Sequence, residues 1–187
     1  MKNLKLIGFY LLVMFVCGCV PSLHPLFTKE QAVSTSDLMG VWLPGDSNEI
    51  WEFKPGEKGC EGIYVDEKGK AGKFNVIAGK LAGNLFLDIA PIDSSMPEND
   101  FYKIHMVPTH TFLKAELKNG SLGLRAMNPE ILDKLLKADP KIIQHERLDN
   151  GTIILTASSQ ELQNFILKYS DEKYELFGKA KQASKQK

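Results

Sequence analysis

From residue 38 onward the chain is cut into short apolar-rich runs, each followed by a turn signal. This spacing constrains the fold more than any other feature. Runs of this length, punctuated by Gly, Asn, Asp and Pro, read as strands joined by tight connections. Residues 40–44 are a first strand and residues 49–55 a second, with Ile50, Glu52 and Lys54 alternating against Trp51 and Phe53. Further strands are expected at 61–67, 73–81, 85–91, 101–107, 111–117 and 121–127, with a polar loop at 92–100. Asn119-Gly120 is the strongest hairpin signal in the chain. The sum is an antiparallel meander of about eight strands. So long a run of strands leaves edges, and closure into a barrel removes them. A mainly β barrel is therefore the expected fold, and an open α+β antiparallel sheet is the alternative.

The period then changes. Asn128-Pro129 is a helix start, with Asn as the cap and Pro in the first turn. Ile131, Leu132, Leu135 and Leu136 form one apolar stripe behind it. Residues 141–157 read as a further hairpin around Asn150-Gly151. Ser158 and Glu161 form a capping box, followed by Leu162, Phe165, Ile166 and Tyr169 on one helical face. Two C-terminal helices should thus pack on the barrel. Residues 173–178 are expected as a last short strand. Residues 179–187 carry lysines and no acid, and read as a solvated basic tail.

The N-terminus has a separate logic. Lys2 and Lys5 precede eleven uncharged residues, 6–16. That stretch is too short for a transmembrane helix, which needs about 20 residues, and has the shape of a secretory signal. Val16-Cys17-Gly18-Cys19 resembles the lipobox of bacterial lipoproteins. The resemblance implies a signal peptide at 1–18, cleavage after Gly18, and a diacylglyceryl thioether on Cys19. Cys17 at the second position before Cys19 departs from the pattern, though it is small. Several acyl chains give stable anchoring where one is marginal. Retention at the inner membrane is associated, in such proteins, with Asp after the lipidated Cys. Here Val20 follows, so the periplasmic face of the outer membrane is the expected location, another bacterial membrane surface being the alternative. Residues 19–37, with two prolines, read as the lipidated Cys and a tether, whose apolar stretch at 23–27 can pack back on the domain, and residues 38–178 as the folded domain. After cleavage Cys60 is the one thiol left unblocked.

The entry to the domain, Asp37-Leu38-Met39-Gly40-Val41-Trp42, resembles the start of lipocalin-like barrels, where a G-x-W lies on the first strand. Gly40 and Trp42 match that motif. In that family a basic residue from the last barrel strand packs across the Trp, and Arg125 is the matching candidate for this closure. The family's T-D-Y motif is absent. The whole arrangement also resembles uncharacterised bacterial lipoproteins.

By alternation, the inward wall of such a barrel would be formed by Phe53, Tyr64, Phe74, Val76, Leu85, Leu87, Tyr102, Ile104 and Leu113. If hollow, it would take one small apolar or lipid-like ligand. If filled, it would be a structural or docking module for another envelope component. Asp88, amid apolar neighbours, is either an anchor for a polar head group or an outward-facing carboxylate. His24, His105, His110 and His145 lack the converging partners of a metal site. No G-x-S-x-G, H-E-x-x-H or phosphate-loop pattern is present. The expectation is a non-enzymatic protein without cofactor or metal. A formal net charge of zero argues against a nucleic-acid partner.

Overall fold

The computed structural model describes residues 19–45, 47–56, 59–92 and 105–186. Among these residues it is mainly β, a closed eight-stranded antiparallel barrel with two α-helices. Seven barrel strands follow one another in sequence: β1 (Gly40–Pro44), β2 (Ile50–Gly56), β3 (Gly59–Val65), β4 (Ala71–Leu81), β5 (Asn84–Pro91), β6 (Thr111–Lys118) and β7 (Ser121–Ala126). Then come α1 (Pro129–Ala138), a hairpin of β8 (His145–Arg147) and β9 (Ile153–Leu155), and α2 (Ser159–Tyr169). Last is β10 (Lys181–Lys185), which pairs with β1 on one side and β7 on the other and closes the barrel.

The local signals act as expected where they are chemical. Asn119 and Gly120 both take positive φ, +52° and +75°, as a two-residue hairpin between right-twisted strands requires. The Asn128 side chain accepts from the Glu130 and Ile131 amides, with Pro129 opening α1. Ser158 and Glu161 form the reciprocal capping box of α2.

The eighth strand is not the expected one. Of residues 101–107, the first four lie outside the described residues, and residues 105–109 run without strand structure. The strand that closes the barrel comes from the tail expected to be solvated. Alternation places Lys181, Ala183 and Lys185 on its inward face, and only Ala183 is buried. Gln182 lies opposite Gly123 of β7, where a Cβ would come within 2.9 Å of the Gln182 amide. Residues 173–178 form a 3-10 turn (Glu172–Tyr174) and a single bridge, Met127 to Phe177, in place of a strand.

Two apolar cores result. One fills the barrel, with Trp42, Phe53, Leu87 and Leu122 each at most 1% exposed. The other lies between the barrel's outer wall and the helices, built on Phe86, Phe112, Leu132, Leu155, Leu162 and Ile166. The same element feeds both: β5 points Leu87 inward and Phe86 outward, so both of its faces are apolar.

The expected tether is built into the second core. Val20 is buried, and Leu26 and Phe27 are almost wholly so. The Ser22 amide donates to the His110 carbonyl at 2.9 Å, and the Ser22 carbonyl accepts from the His110 amide at 2.8 Å. Pro21 and Leu23 bond Leu155 from the other side. The segment therefore joins the start of β6 to the β8–β9 hairpin as a strap. It runs on across the wall, where the Phe27 ring lies so close to Gly79 that a Cβ there would meet it at 2.5 Å. It ends in a 3-10 turn, Ser36–Leu38, that plugs one end of the barrel. The prolines that suggested a free leash instead favour the extended backbone a strap needs.

Candidate functional site

The two ends of the barrel differ. At the plugged end, Trp42 donates its indole N–H to the Leu38 carbonyl at 2.7 Å, and the Lys185 ammonium lies 5.4 Å from the Trp42 ring centre. The role expected of Arg125 thus falls to Lys185, which is on the true last strand of the barrel. Arg125 faces outward and pairs with Glu116 at 3.3 Å and Glu172 at 3.7 Å. Gly40 has φ +121°, and Lys185 occupies the space where its Cβ would be.

The other end, the mouth, carries half-buried aromatic side chains. Trp51 on β2 pairs across the strands with Tyr64 on β3, and their rings lie 4.8 Å apart. Trp51 also stacks on Phe53 at 5.6 Å and meets Phe74 at 6.4 Å. Two glycines give these rings room. At Gly62 a Cβ would meet Val76 at 2.9 Å and Phe53 at 3.6 Å, and at Gly72 it would meet the Phe74 ring at 3.0 Å. Small residues on the barrel wall let large ones fill its centre.

Glu49 lies one alternation before Trp51 and continues the inward face. Its carboxylate accepts from the Tyr64 hydroxyl at 2.6 Å and from the Lys181 ammonium at 2.9 Å and 3.1 Å. Burial opposes its charge, but the hydrogen bonds from Tyr64 and Lys181, with the Lys181 charge, outweigh burial and hold Glu49 below the usual carboxylate range. Burial and the bond to Glu49 push the Tyr64 phenol above its ordinary range. These shifts favour Glu49 as the acceptor and Tyr64 as the donor of their shared hydrogen bond.

A carboxyl depressed in the folded state stabilises above its unfolded pKa, about 4.3, and that contribution is lost as pH falls through the folded value. Glu49→Gln should flatten the acid limb of a Tm-against-pH curve between roughly pH 5 and pH 3. Equal slopes in wild type and variant would remove this account of the triad.

The inward candidates fall into three groups. Phe53, Val76, Leu87 and Leu113 are buried in the barrel, and Tyr64, Phe74 and Leu85 are partly exposed. Tyr102 and Ile104 lie outside the described residues. Asp88 points out of the barrel, yet is 2% exposed, because the strap covers it. It accepts from the Leu26 amide at 2.7 Å and lies 2.7 Å from His110 Nδ1. Asp88 is therefore an anchor for the strap and not part of a ligand wall, and His110 is its partner. Glu49, Trp51 and Lys181 were not among the sequence candidates. Glu49 and Trp51 carried a signal, a charged residue in phase with two aromatics. Lys181 carried none.

Two open clefts lie elsewhere. One, about 410 Å³, runs between the strap and the edge of β4 and has Cys60 and Val33 in its lining. Burial pushes the Cys60 thiol up, which makes it a weak nucleophile. The other, about 330 Å³, lies between residues 141–144 and α2. Among the described residues no three His, Cys, Asp or Glu side chains are grouped to hold a metal ion, and no helix is long and apolar enough to cross a membrane. The chain matches no family model, no curated protein and no solved structure.

Proposed function

We propose that this protein is a bacterial lipoprotein, anchored by acyl chains on Cys19, whose barrel binds a small apolar or lipid-like ligand at its mouth. The observation that carries the ligand reading is the partly open aromatic trio of Trp51, Tyr64 and Phe74 above a barrel filled by its own side chains. The ligand would rest on those rings and not deep in the lumen. Glu49 and Lys181 supply a hydrogen-bonding rim that selects an apolar body with one polar group. No reaction is assigned to the site, and the proposed role is non-enzymatic. The lipobox at residues 16–19 supports the anchor, and Val20 in place of Asp supports the outer membrane, periplasmic face.

A second reading draws on the filled interior. The groove beside α2, where Lys141, Glu161, Asn164 and Lys168 surround Ile142 over the buried Phe165 and Tyr169, offers a mixed polar and apolar surface to another envelope component. It would make the protein a docking module with a structural barrel.

Native mass spectrometry of the chain, purified from its own membranes, separates the two. The ligand reading expects a reproducible extra mass that organic solvent removes, and an affinity that falls by up to about tenfold in Trp51→Ala, since a lost ring contact is worth roughly 0.5–1.5 kcal/mol. A clean mass, together with no change in Trp51 fluorescence on titration with fatty acid or lysophospholipid, would overturn it.

A further inference from the structure

The lipid anchor and the fold meet with almost no chain between them. Were residues 20–37 a free tether, their extended length would be about 60 Å, and the domain would have no fixed attitude to the membrane. Instead Val20 is 3% exposed, and Ser22 is fully buried. Cys19 is one residue outside the folded structure, a span of about 3.5 Å. The headgroup layer of one leaflet is about 5–7 Å thick. An acylated Cys19 therefore holds Val20 within or at the edge of that layer, and the strap's bonds to His110 and Leu155 transmit this constraint to the whole barrel.

The side that faces the bilayer is set by where the strap begins. Ser22 bridges His110, the residue just before β6, and β6 starts at the mouth. The Cys19 thiol lies within electrostatic reach of the Lys181 ammonium, which stands at the mouth on β10. Three exposed apolar side chains flank the same region: Leu23 on the strap, and Met106 and Val107 on the segment that leads into His110, at 40%, 48% and 67% exposure. Water-facing apolar groups beside an acyl anchor gain about 25 cal/mol for each Å² that the interface covers.

We infer that the mouth of the barrel lies flat against the phospholipid bilayer, with Leu23, Met106 and Val107 in the interfacial layer. The inference rests on the lipid-anchor reading. It adds that the aromatic trio opens toward lipid, so a ligand reaches it from the membrane rather than from the aqueous phase.

The test uses the full acylated chain in phosphatidylethanolamine–phosphatidylglycerol vesicles. Cys60 is buried and an acylated Cys19 is blocked, so an introduced thiol can be labelled selectively. Val107→Cys and Leu117→Cys, at the mouth and at the opposite end, are each labelled with a nitroxide. The Val107 label should show a several-fold rise in collisions with oxygen relative to a water-soluble nickel complex, compared with the Leu117 label. Equal, aqueous values at both positions in a chain that floats with vesicles and carries the acyl mass would overturn the flat docking and leave the anchor reading intact. A chain that lacks the acyl mass and does not float would remove the anchor reading itself, and the inference with it. Both substituted positions are solvent-facing, and a far-ultraviolet circular dichroism spectrum matching wild type confirms that each variant is folded.

Discussion

Deleting residues 179–187 abolishes the native fold. That is the largest effect the structure predicts, and it falls on a segment that reads like a disposable tail. β10 lies between β1 and β7, with Pro44 opposite Ala183 on one side and Leu122 opposite Ala183 on the other. Without it both neighbours become edges in a barrel that otherwise has none, and edges of this kind pair with other chains. The hydrogen bonds lost on both sides of β10 contribute about 0.5–1.5 kcal/mol each, and with the barrel core opened to water their sum reaches a domain stability of about 5–15 kcal/mol. Lys185 also leaves the Trp42 ring, and Lys181 leaves Glu49. Size-exclusion chromatography and thermal unfolding of residues 19–178 beside 19–187 check this. The expected result is aggregation or loss of the cooperative transition. A monomer with an unchanged Tm would mean that β10 does not close the barrel.

The reason that strand was illegible is chemical. Strand signals rest on apolar alternation, and Lys181-Gln182-Ala183-Ser184-Lys185 places charge at two of its three inward positions. Those lysines are tolerated because each sits at an end of the barrel, one on Glu49 and the other over Trp42. By contrast, β1 to β5, β6 and β7 were legible from turn residues and alternation to within about two residues, the usual boundary error. Both helices were legible because Asn128, Ser158 and Glu161 satisfy the first amides through their own side chains. The stretch around Tyr102 and Ile104 alternates as well as any strand, and residues 105–109 nonetheless run without strand structure.

The site divides in the same way. Tyr64 and Phe74 were found because alternation points them inward, and they stand at the mouth with Trp51. For Asp88 the outward-facing alternative holds, but its burial was not legible, because alternation gives the face of a side chain and not what covers that face. Here the cover is the strap, 62 residues away in sequence at the Leu26 bond. The strap was legible only in part: the apolar stretch at 23–27 can pack back on the domain, but where it docks was not readable. Its burial depends on Gly79 leaving a seat for the Phe27 ring, a match between distant positions that no local pattern records.

The second large effect concerns Cys19. Its replacement by Ala removes the one atom that the lipobox reading says is acylated, and nothing else in the fold depends on it. Cys19 is exposed, and the buried strap begins only at Val20. The variant should therefore fold as wild type does. Its membrane affinity, in contrast, should collapse, because the flanking apolar side chains alone are a small contact. Each methylene of an acyl chain adds about 0.8 kcal/mol, so two or three chains exceed by far what Leu23, Met106 and Val107 can supply.

Fractionation of Cys19→Ala beside wild type in the producing bacterium, with intact mass of both, decides whether Cys19 carries the anchor. Wild type should lie in the membrane fraction, with an N-terminus at Cys19 bearing diacylglyceryl and acyl mass. The variant should be folded, without that mass, and released from the membrane. A variant that stays membrane-bound, or a wild-type chain without acyl mass, would show that Cys19 is not the anchor.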